Sequence, residues 1–97
     1  MISLRNAAKL EKEWGIPTEV VLQGFGQTDE CVVRAFYKDG AESFEFTGFS
    51  WGYGGEGPRG LCEFLTGLGF KVSMDTIAGW PTKDFGRRFV VALGGTL

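Results

Sequence analysis

The sequence predicts an α+β fold, in which two helices pack on one face of a mostly antiparallel sheet of four to five strands. Three strand-like segments follow one another in the first half of the chain, and an Asp39-Gly40 turn joins two of them. In the second half, an amphipathic helical segment follows a glycine-rich loop. With 97 residues, 43% of them hydrophobic, the chain is expected to form a single domain over residues 1–97.

The first predicted element is a helix over residues 3–14. Ser3 can cap its first turn. Gly15 suits the C-terminal cap, and Pro17 prevents the helix from continuing. The apolar residues that recur at helical spacing in this segment are Leu4, Ala7, Ala8 and Trp14.

Three strands are predicted next, at Thr18–Leu22, Cys31–Tyr37 and Ser43–Phe49. The first is β-branched and apolar, which favours a strand. A turn-rich loop over residues 24–30 separates it from the second strand. Lys38-Asp39-Gly40 joins the second strand to the third, because Asp-Gly supplies the positive φ that a tight hairpin turn requires.

The second half begins with a loop over residues 50–57 that contains four glycines. Pro58 is expected at the start of the second helix, where its missing N–H costs nothing. A short strand is predicted at Phe70–Met74, a loop over residues 76–87, and a last, central strand at Phe89–Leu93. The amphipathic pattern of the second helix consists of Leu61, Phe64, Leu65 and Leu68.

The composition excludes several kinds of site. The chain has no histidine, so the usual general base and the commonest metal ligand are missing, and Cys31 and Cys62 alone cannot form a structural zinc site. We therefore expect no metal, no cofactor and no catalytic residue, and two reduced thiols indicate a cytoplasmic protein. No apolar run is long enough to span a membrane. The net charge is −2 and Arg87-Arg88 is the only adjacent basic pair, which argues against binding to nucleic acid.

The glycine-rich loop matches three known motifs in part. Gly48-Phe49-Ser50-Trp51-Gly52 has the pattern of a nucleophile elbow, but no histidine is present to take the proton of Ser50. Residues 52–57 begin like a P-loop, but Pro58-Arg59 stands where Lys-Ser/Thr is required. The same residues match G-x-G-x-x-G, with Asp75 further on, as in a dinucleotide fingerprint. The preceding hairpin is incompatible with the parallel sheet of that fold.

These motifs share a glycine-rich turn that runs into a helix and leaves backbone N–H groups unpaired. The helix dipole adds partial positive charge there, and an arginine in the first turn adds donors suited to phosphate or carboxylate. Aromatic side chains in the loop can stack on a planar group. The sequence therefore predicts a small non-enzymatic protein that binds a small anionic or nucleotide-like ligand at residues 51–59. The predicted ligand-binding residues are Trp51, Tyr53, Gly54, Gly55, Gly57 and Arg59.

The segment from Phe49 to Leu61 resembles a family of short prokaryotic proteins of unknown function, in which Trp-Gly-Tyr-x-Gly-x-Gly-Pro-x-x-Leu recurs. Those proteins are often encoded on plasmids and other mobile elements. Glu56 and Arg59 depart from the family, which usually has a small residue and an uncharged residue there. The resemblance implies that the loop is selected as a unit in a mobile-element or phage setting, and it transfers no activity. The matching residues are Trp51, Gly52, Tyr53, Gly55, Gly57, Pro58 and Leu61.

Three other interpretations stay open. In the first, the loop is only architectural: its glycines satisfy the turn, its rings close the core, and Arg59 pairs with Glu56 or Glu63. In the second, the sheet face or an edge mediates self-association as a homo-oligomer or binding to another protein, because nine Phe and three Trp exceed what a small core readily buries. In the third, the protein is an enzyme that depends on Cys62, Asp75 or Arg59, with the cysteine near a helix start that can stabilise a thiolate.

Overall fold

The fold was obtained as a computed structural model, which describes residues 9–25, 30–46, 48–82 and 85–97. Six strands and three helices make up the described chain, together with two single turns of 3-10 helix at Lys38–Gly40 and Val91–Leu93. The strands are β1 Glu19–Phe25, β2 Glu30–Tyr37, β3 Glu42–Phe46, β4 Phe70–Lys71, β5 Phe85–Val90 and β6 Gly95–Thr96. The helices are α1, which covers residues 9–14 of the described chain, α2 Glu56–Gly67 and α3 Met74–Gly79.

The main sheet has four strands in the order β3-β2-β1-β5, and every neighbouring pair is antiparallel. β4 and β6 form a separate two-stranded parallel sheet. The predicted α+β class and the mostly antiparallel sheet are therefore confirmed. The number of helices is three rather than two, because α3 occupies the end of the predicted strand at residues 70–74 and the start of the predicted loop at residues 76–87.

The hairpin between β2 and β3 is confirmed at the predicted turn. Tyr37 pairs with Glu42 across it. Gly40 has a φ value of 92°, so it supplies the positive φ that was predicted for it, and Lys38, with a φ value of 50°, takes a left-handed conformation that the Asp-Gly pattern does not predict. The third strand is shorter than predicted, because it ends at Phe46 and leaves Phe49 in the following loop.

The second half differs from the prediction in three places. α2 begins at Glu56, two residues before Pro58, which lies in the first helical turn. α3 replaces part of the predicted loop, because Ser73 caps it: the Ser73 hydroxyl accepts a hydrogen bond from the Thr76 N–H at 3.2 Å. Only Phe70 and Lys71 of the predicted strand at residues 70–74 pair with another strand.

The predicted last strand at Phe89–Leu93 was also wrong in its bounds and its place. β5 starts four residues earlier, at Phe85, and residues 91–93 form the second 3-10 turn. The strand lies at the edge of the sheet, beside β1, rather than in its centre. Phe85 and Phe89 are buried while the three residues between them are exposed, which is why the segment lacks a continuous apolar pattern.

The end of α1 agrees with the prediction. Its described residues stop before Gly15, which has φ +80° and donates its N–H to the Glu11 carbonyl at 3.0 Å. Residues 3–8 of the predicted helix, with the proposed cap at Ser3 and the apolar Leu4, Ala7 and Ala8, lie outside the described chain. None of the helices in the described residues is long and apolar enough to cross a membrane.

The core lies on one side of the main sheet and is rich in aromatic rings. Phe46 on β3 contacts Phe64 on α2, with ring centroids 5.4 Å apart, and α2 therefore packs over that end of the sheet. Trp14 contacts Phe44, with ring centroids 5.7 Å apart, and so places α1 beside β3. The remaining buried rings are Tyr37, Phe49, Trp51, Phe70, Trp80, Phe85 and Phe89.

Candidate functional site

The glycine-rich loop is anchored to the segment around α3. The Gly52 N–H donates to the Ile77 carbonyl at 3.0 Å, and the Trp51 indole N–H donates to the Pro81 carbonyl at 2.7 Å. Gly52 has φ +86°, and a Cβ at this position would lie 2.5 Å from the Thr82 Cγ2 atom. Gly24, on β1, approaches the same residue, because a Cβ there would lie 2.3 Å from the Thr82 carbonyl oxygen. The first strand, the loop and the residues after α3 are therefore fitted together around Thr82.

Trp51 is completely buried, with 0% of its surface exposed. Its ring packs against Phe85 at a centroid distance of 5.3 Å. A ring with no exposed surface has no face on which a ligand could stack, so the contribution of Trp51 to a site is to support the loop from below.

Tyr53 is placed differently, with 53% of its surface exposed. Its hydroxyl lies 2.9 Å from the Ser50 Oγ atom, and the edge of its ring lies close to Gly55, where a Cβ would be 2.9 Å from Cε2. Gly57 approaches the two hydroxyls from the helix: a Cβ there would meet the Ser50 Oγ atom at 2.1 Å and the Tyr53 hydroxyl oxygen at 3.2 Å. The exposed ring is thus held in a defined position by Ser50 and Gly55 of the loop and by Gly57 in the first turn of α2.

Backbone donors remain unpaired where the loop becomes α2. The N-terminal residue of this helix is Glu56, and its N-cap, Gly55, offers no side-chain hydrogen bond. Pro58 has no N–H, and the Arg59 N–H donates to the Gly55 carbonyl at 3.0 Å. Within the described chain, no protein acceptor is hydrogen-bonded to the amides of residues 54–57.

The charges at this helix start partly offset one another. Glu56 and Arg59 are both exposed and lie in the first turn. Among the described residues Arg59 has no ion-pair partner, so the pairs with Glu56 or Glu63 that an architectural role predicts are not formed. The dipole of the twelve-residue helix places partial positive charge at the same end.

An open groove of about 340 Å³ runs beside the first part of the loop. It contains two of the predicted ligand-binding residues, Trp51 and Tyr53, whereas Gly54, Gly55, Gly57 and Arg59 lie outside its lining. Of these four, Gly57 approaches the Ser50 and Tyr53 hydroxyls and Gly55 approaches the Tyr53 ring. We call this space the loop groove; it is lined by Cys31, Gly48, Phe49, Ser50, Trp51, Tyr53 and Thr82.

Five lining residues were not among the predicted ligand-binding residues: Cys31, Gly48, Phe49, Ser50 and Thr82. Cys31 belongs to the start of β2 and Thr82 follows α3, and no sequence pattern indicates that these segments meet the loop. Ser50 was considered only as a nucleophile. Its hydroxyl contacts the Tyr53 hydroxyl and not a histidine, the base that a nucleophile elbow uses.

Within the described chain, no hydrogen bond or ion pair joins Cys62, Asp75 and Arg59, the residues on which an enzyme would have to depend. Cys62 is half-buried, and its thiol points at the Val72 carbonyl at 3.7 Å. Asp75 lies exposed in the first turn of α3. The residues that the structure describes contain no group of three or more cysteine, aspartate or glutamate side chains that could hold a metal ion.

The antiparallel sheet also bears on the dinucleotide fingerprint. The strand before the glycine-rich loop, β3, pairs only with the antiparallel β2 within the described sheet, whereas the fingerprint requires a parallel βαβ unit.

In comparisons with models of protein families, with curated proteins and with solved structures, the chain gave no match.

Proposed function

We propose that this protein is a small binding module that holds a planar ligand with an anionic group at the glycine-rich loop. The ring of the ligand lies in the loop groove against Tyr53, and its anionic group reaches the unpaired amides at the start of α2. The observation that carries this proposal is the contact of Gly57 with the Ser50–Tyr53 hydroxyl pair. Gly57 belongs to the residues with unpaired amides, and Ser50 and Tyr53 line the groove, which supports a single ligand that reaches both.

The dimensions of the groove suit a single ring system. Its volume of about 340 Å³ is near the lower end of the range for small-ligand pockets, which is roughly 300–1,000 Å³. The exposed ring of Tyr53 offers a stacking surface, and the hydroxyls of Ser50 and Tyr53 can donate or accept hydrogen bonds.

The anionic group is favoured by the helix start rather than by the groove. None of the described residues that line the groove is charged. The unpaired amides of residues 54–57 and the helix dipole favour an anion there by about 0.3–1 kcal/mol per contact. Arg59 adds to this effect, and the Glu56 carboxylate in the same turn opposes it, so we expect weak binding.

Titrations followed by amide chemical shifts test the proposal with three probes: adenosine, AMP and inorganic phosphate. AMP should shift the amide signals of residues 50–57 and bind more tightly than either of the other two probes. Tyr53→Ala should weaken both adenosine and AMP by about tenfold or more, because base stacking on an aromatic ring contributes roughly 1–3 kcal/mol. Arg59→Ala should weaken AMP by about threefold to fivefold and leave adenosine unchanged.

Lys71→Ala is the matched control, since it removes an exposed cation from β4 instead of α2. It should bind all three probes as the wild type does. The proposal fails if millimolar AMP shifts no loop amide, or if Tyr53→Ala and Arg59→Ala bind AMP with wild-type affinity.

The mobile-element origin, the non-enzymatic role and the cellular location of the protein stay predictions. The resemblance of residues 49–61 to the prokaryotic mobile-element family supports the view that the loop acts as a unit, and the absence of histidine supports binding without catalysis. A cytoplasmic location rests on the cysteine content, because two cysteines are too few for the disulfide scaffold of a small secreted domain.

A further inference from the structure

One face of the main sheet is not covered by any described helix. Side chains alternate between the two faces of a strand, and the buried residues of β1 and β2 all point to the helix side. The half-buried Val21, Val32 and Phe36 do not belong to the core or to the residues packed against it. We call this side the outer face; in the described chain it consists of Glu19, Val21, Gln23, Val32, Arg34, Phe36, Ser43, Glu45, Gly86, Arg88 and Val90.

The apolar residues of the outer face form one cluster. Val21 is at its centre, since it pairs with Arg34 on β2 and with Arg88 on β5. Val32, Phe36 and Val90 occupy the diagonal positions around it, within reach of its side chain. Val90 keeps 39% of its surface exposed. A sheet face that meets only water usually carries polar residues at such positions.

The charges of the outer face balance. Arg34 bonds to Glu45, with Nη2 and Oε2 3.0 Å apart, and Arg88 bonds to Glu19, with Nη2 and Oε2 2.9 Å apart. Two acids and two bases thus give this face no net charge, whereas the whole chain carries −2. Two copies of the face can therefore approach each other without net repulsion.

The cross-strand pairing also places acid and base at opposite edges. Glu45, Arg34, Val21 and Arg88 lie in one row across the sheet, with Glu45 on the edge strand β3 and Arg88 on the edge strand β5. We propose that the outer face is the interface of a homodimer, with a two-fold axis that runs parallel to the strands between β1 and β2. This inference is independent of the proposed ligand.

Such an axis makes the face complementary to itself. It keeps the strands of the two sheets nearly aligned, as in ordinary sheet packing, and lays β3 of each copy over β5 of the other. Glu45 then faces the partner's Arg88, twice in the dimer. β1 of one copy lies over β2 of the other. Val21 therefore enters the space between the partner's Val32 and the partner's Phe36. There it packs on the aliphatic stem of the partner's Arg34.

The area indicates a weak dimer. Four strands spaced about 4.8 Å apart and about 22 Å long cover roughly 400 Å², so two copies bury on the order of 800–1,000 Å². Stable specific interfaces bury about 1,200–2,000 Å², and smaller ones belong to transient complexes. We therefore expect a dimer that dissociates in the micromolar range.

Sedimentation equilibrium of the full chain from about 5 to 500 µM tests the interface. The wild type should pass from monomer to dimer over this range. Glu45→Arg alone places arginine against arginine, and Arg88→Glu alone places glutamate against glutamate, so each variant should dissociate at least tenfold more readily. An equimolar mixture of the two variants should form a heterodimer over the same range of protein concentration in which the wild type dimerises, because both facing pairs then have opposite charges.

The mixture is what distinguishes this geometry from a loss of folding, because two misfolded variants would not restore each other. Glu63→Arg, which reverses an exposed charge on α2, is the matched control and should dimerise as the wild type does. A wild type that is monomeric at 500 µM overturns the proposal. That result is expected if another protein, or residues 1–8, cover the outer face instead of a second copy. A mixture that stays monomeric overturns the proposed axis.

Discussion

The contact of Gly52 with Thr82 makes a sharp prediction for Gly52→Ala. Gly52 lies in the left-handed region, at φ +86°, and a Cβ there would meet the Thr82 Cγ2 atom at 2.5 Å and the Trp80 carbonyl oxygen at 3.0 Å. Gly54, two residues along the same loop, has no atom within 4 Å of an added Cβ and no positive φ. Gly54→Ala is therefore the matched control.

The magnitude follows from two costs. A non-glycine residue in the left-handed region costs about 1–2 kcal/mol, and a clash that forces neighbouring side chains or backbone to shift costs about 1–3 kcal/mol. The sum of about 2–5 kcal/mol is a large part of the roughly 5–15 kcal/mol that stabilises a domain. Gly52→Ala should lower the Tm by about 10 °C or more, whereas Gly54→Ala should change the free energy of unfolding by less than about 0.5 kcal/mol.

Urea unfolding followed by the fluorescence of the buried tryptophans measures both variants. Thr82→Ser removes the methyl group that the new Cβ meets, so the double variant Gly52→Ala/Thr82→Ser should regain the part of the loss that is due to Thr82. It should keep the cost of the left-handed backbone and of the contact with the Trp80 carbonyl. The reasoning is refuted if Gly52→Ala unfolds at the wild-type urea concentration, or if Gly54→Ala loses as much stability.

Two further predictions concern buried aromatic residues. Burial, and secondarily the Glu11 carboxylate, raise the pKa of Tyr37 above 10.0. The neutral Tyr37 side chain therefore contributes to the stability of the folded protein. This contribution is fully present below pH 10 and is lost as the pH rises further, because the tyrosine of the unfolded chain ionises first. Wild-type stability should therefore fall more steeply between pH 9 and 11 than that of Tyr37→Phe, and parallel slopes in urea titrations would contradict this. Trp51→Phe deletes the hydrogen bond to Pro81 and leaves a cavity, so we expect a loss of about 2–4 kcal/mol; a loss below 1 kcal/mol in the same titration would show that the ring is not an anchor.

The parts of the fold that sequence predicts correctly are those with local causes. The Lys38–Gly40 turn needs only its own backbone conformations, and the helix after the glycine-rich loop carries its apolar stripe within Leu61–Leu68. α3 has six residues, too few for a helical period to appear. β5 was misplaced because Arg87 and Arg88, exposed at a sheet edge, interrupt its apolar residues.

The site was predictable only in its loop. The glycines and Tyr53 of residues 50–57 predict a turn that leads into a helix, and the structure contains this turn. The groove next to it depends on Cys31 and Thr82, which are brought there by strand pairing and by α3. Burial also separates Trp51 from Tyr53, although the two aromatic residues are equivalent in the sequence pattern.

The fit around Thr82 has a consequence for how this protein can evolve. Gly24 meets the backbone carbonyl of Thr82 and Gly52 meets its side chain, so a change of residue at position 82 can make room at Gly52 but not at Gly24. Positions 52 and 82 should therefore change together among descendants of this sequence, whereas position 24 should stay glycine. A designer who transplants the loop into another scaffold must carry all three.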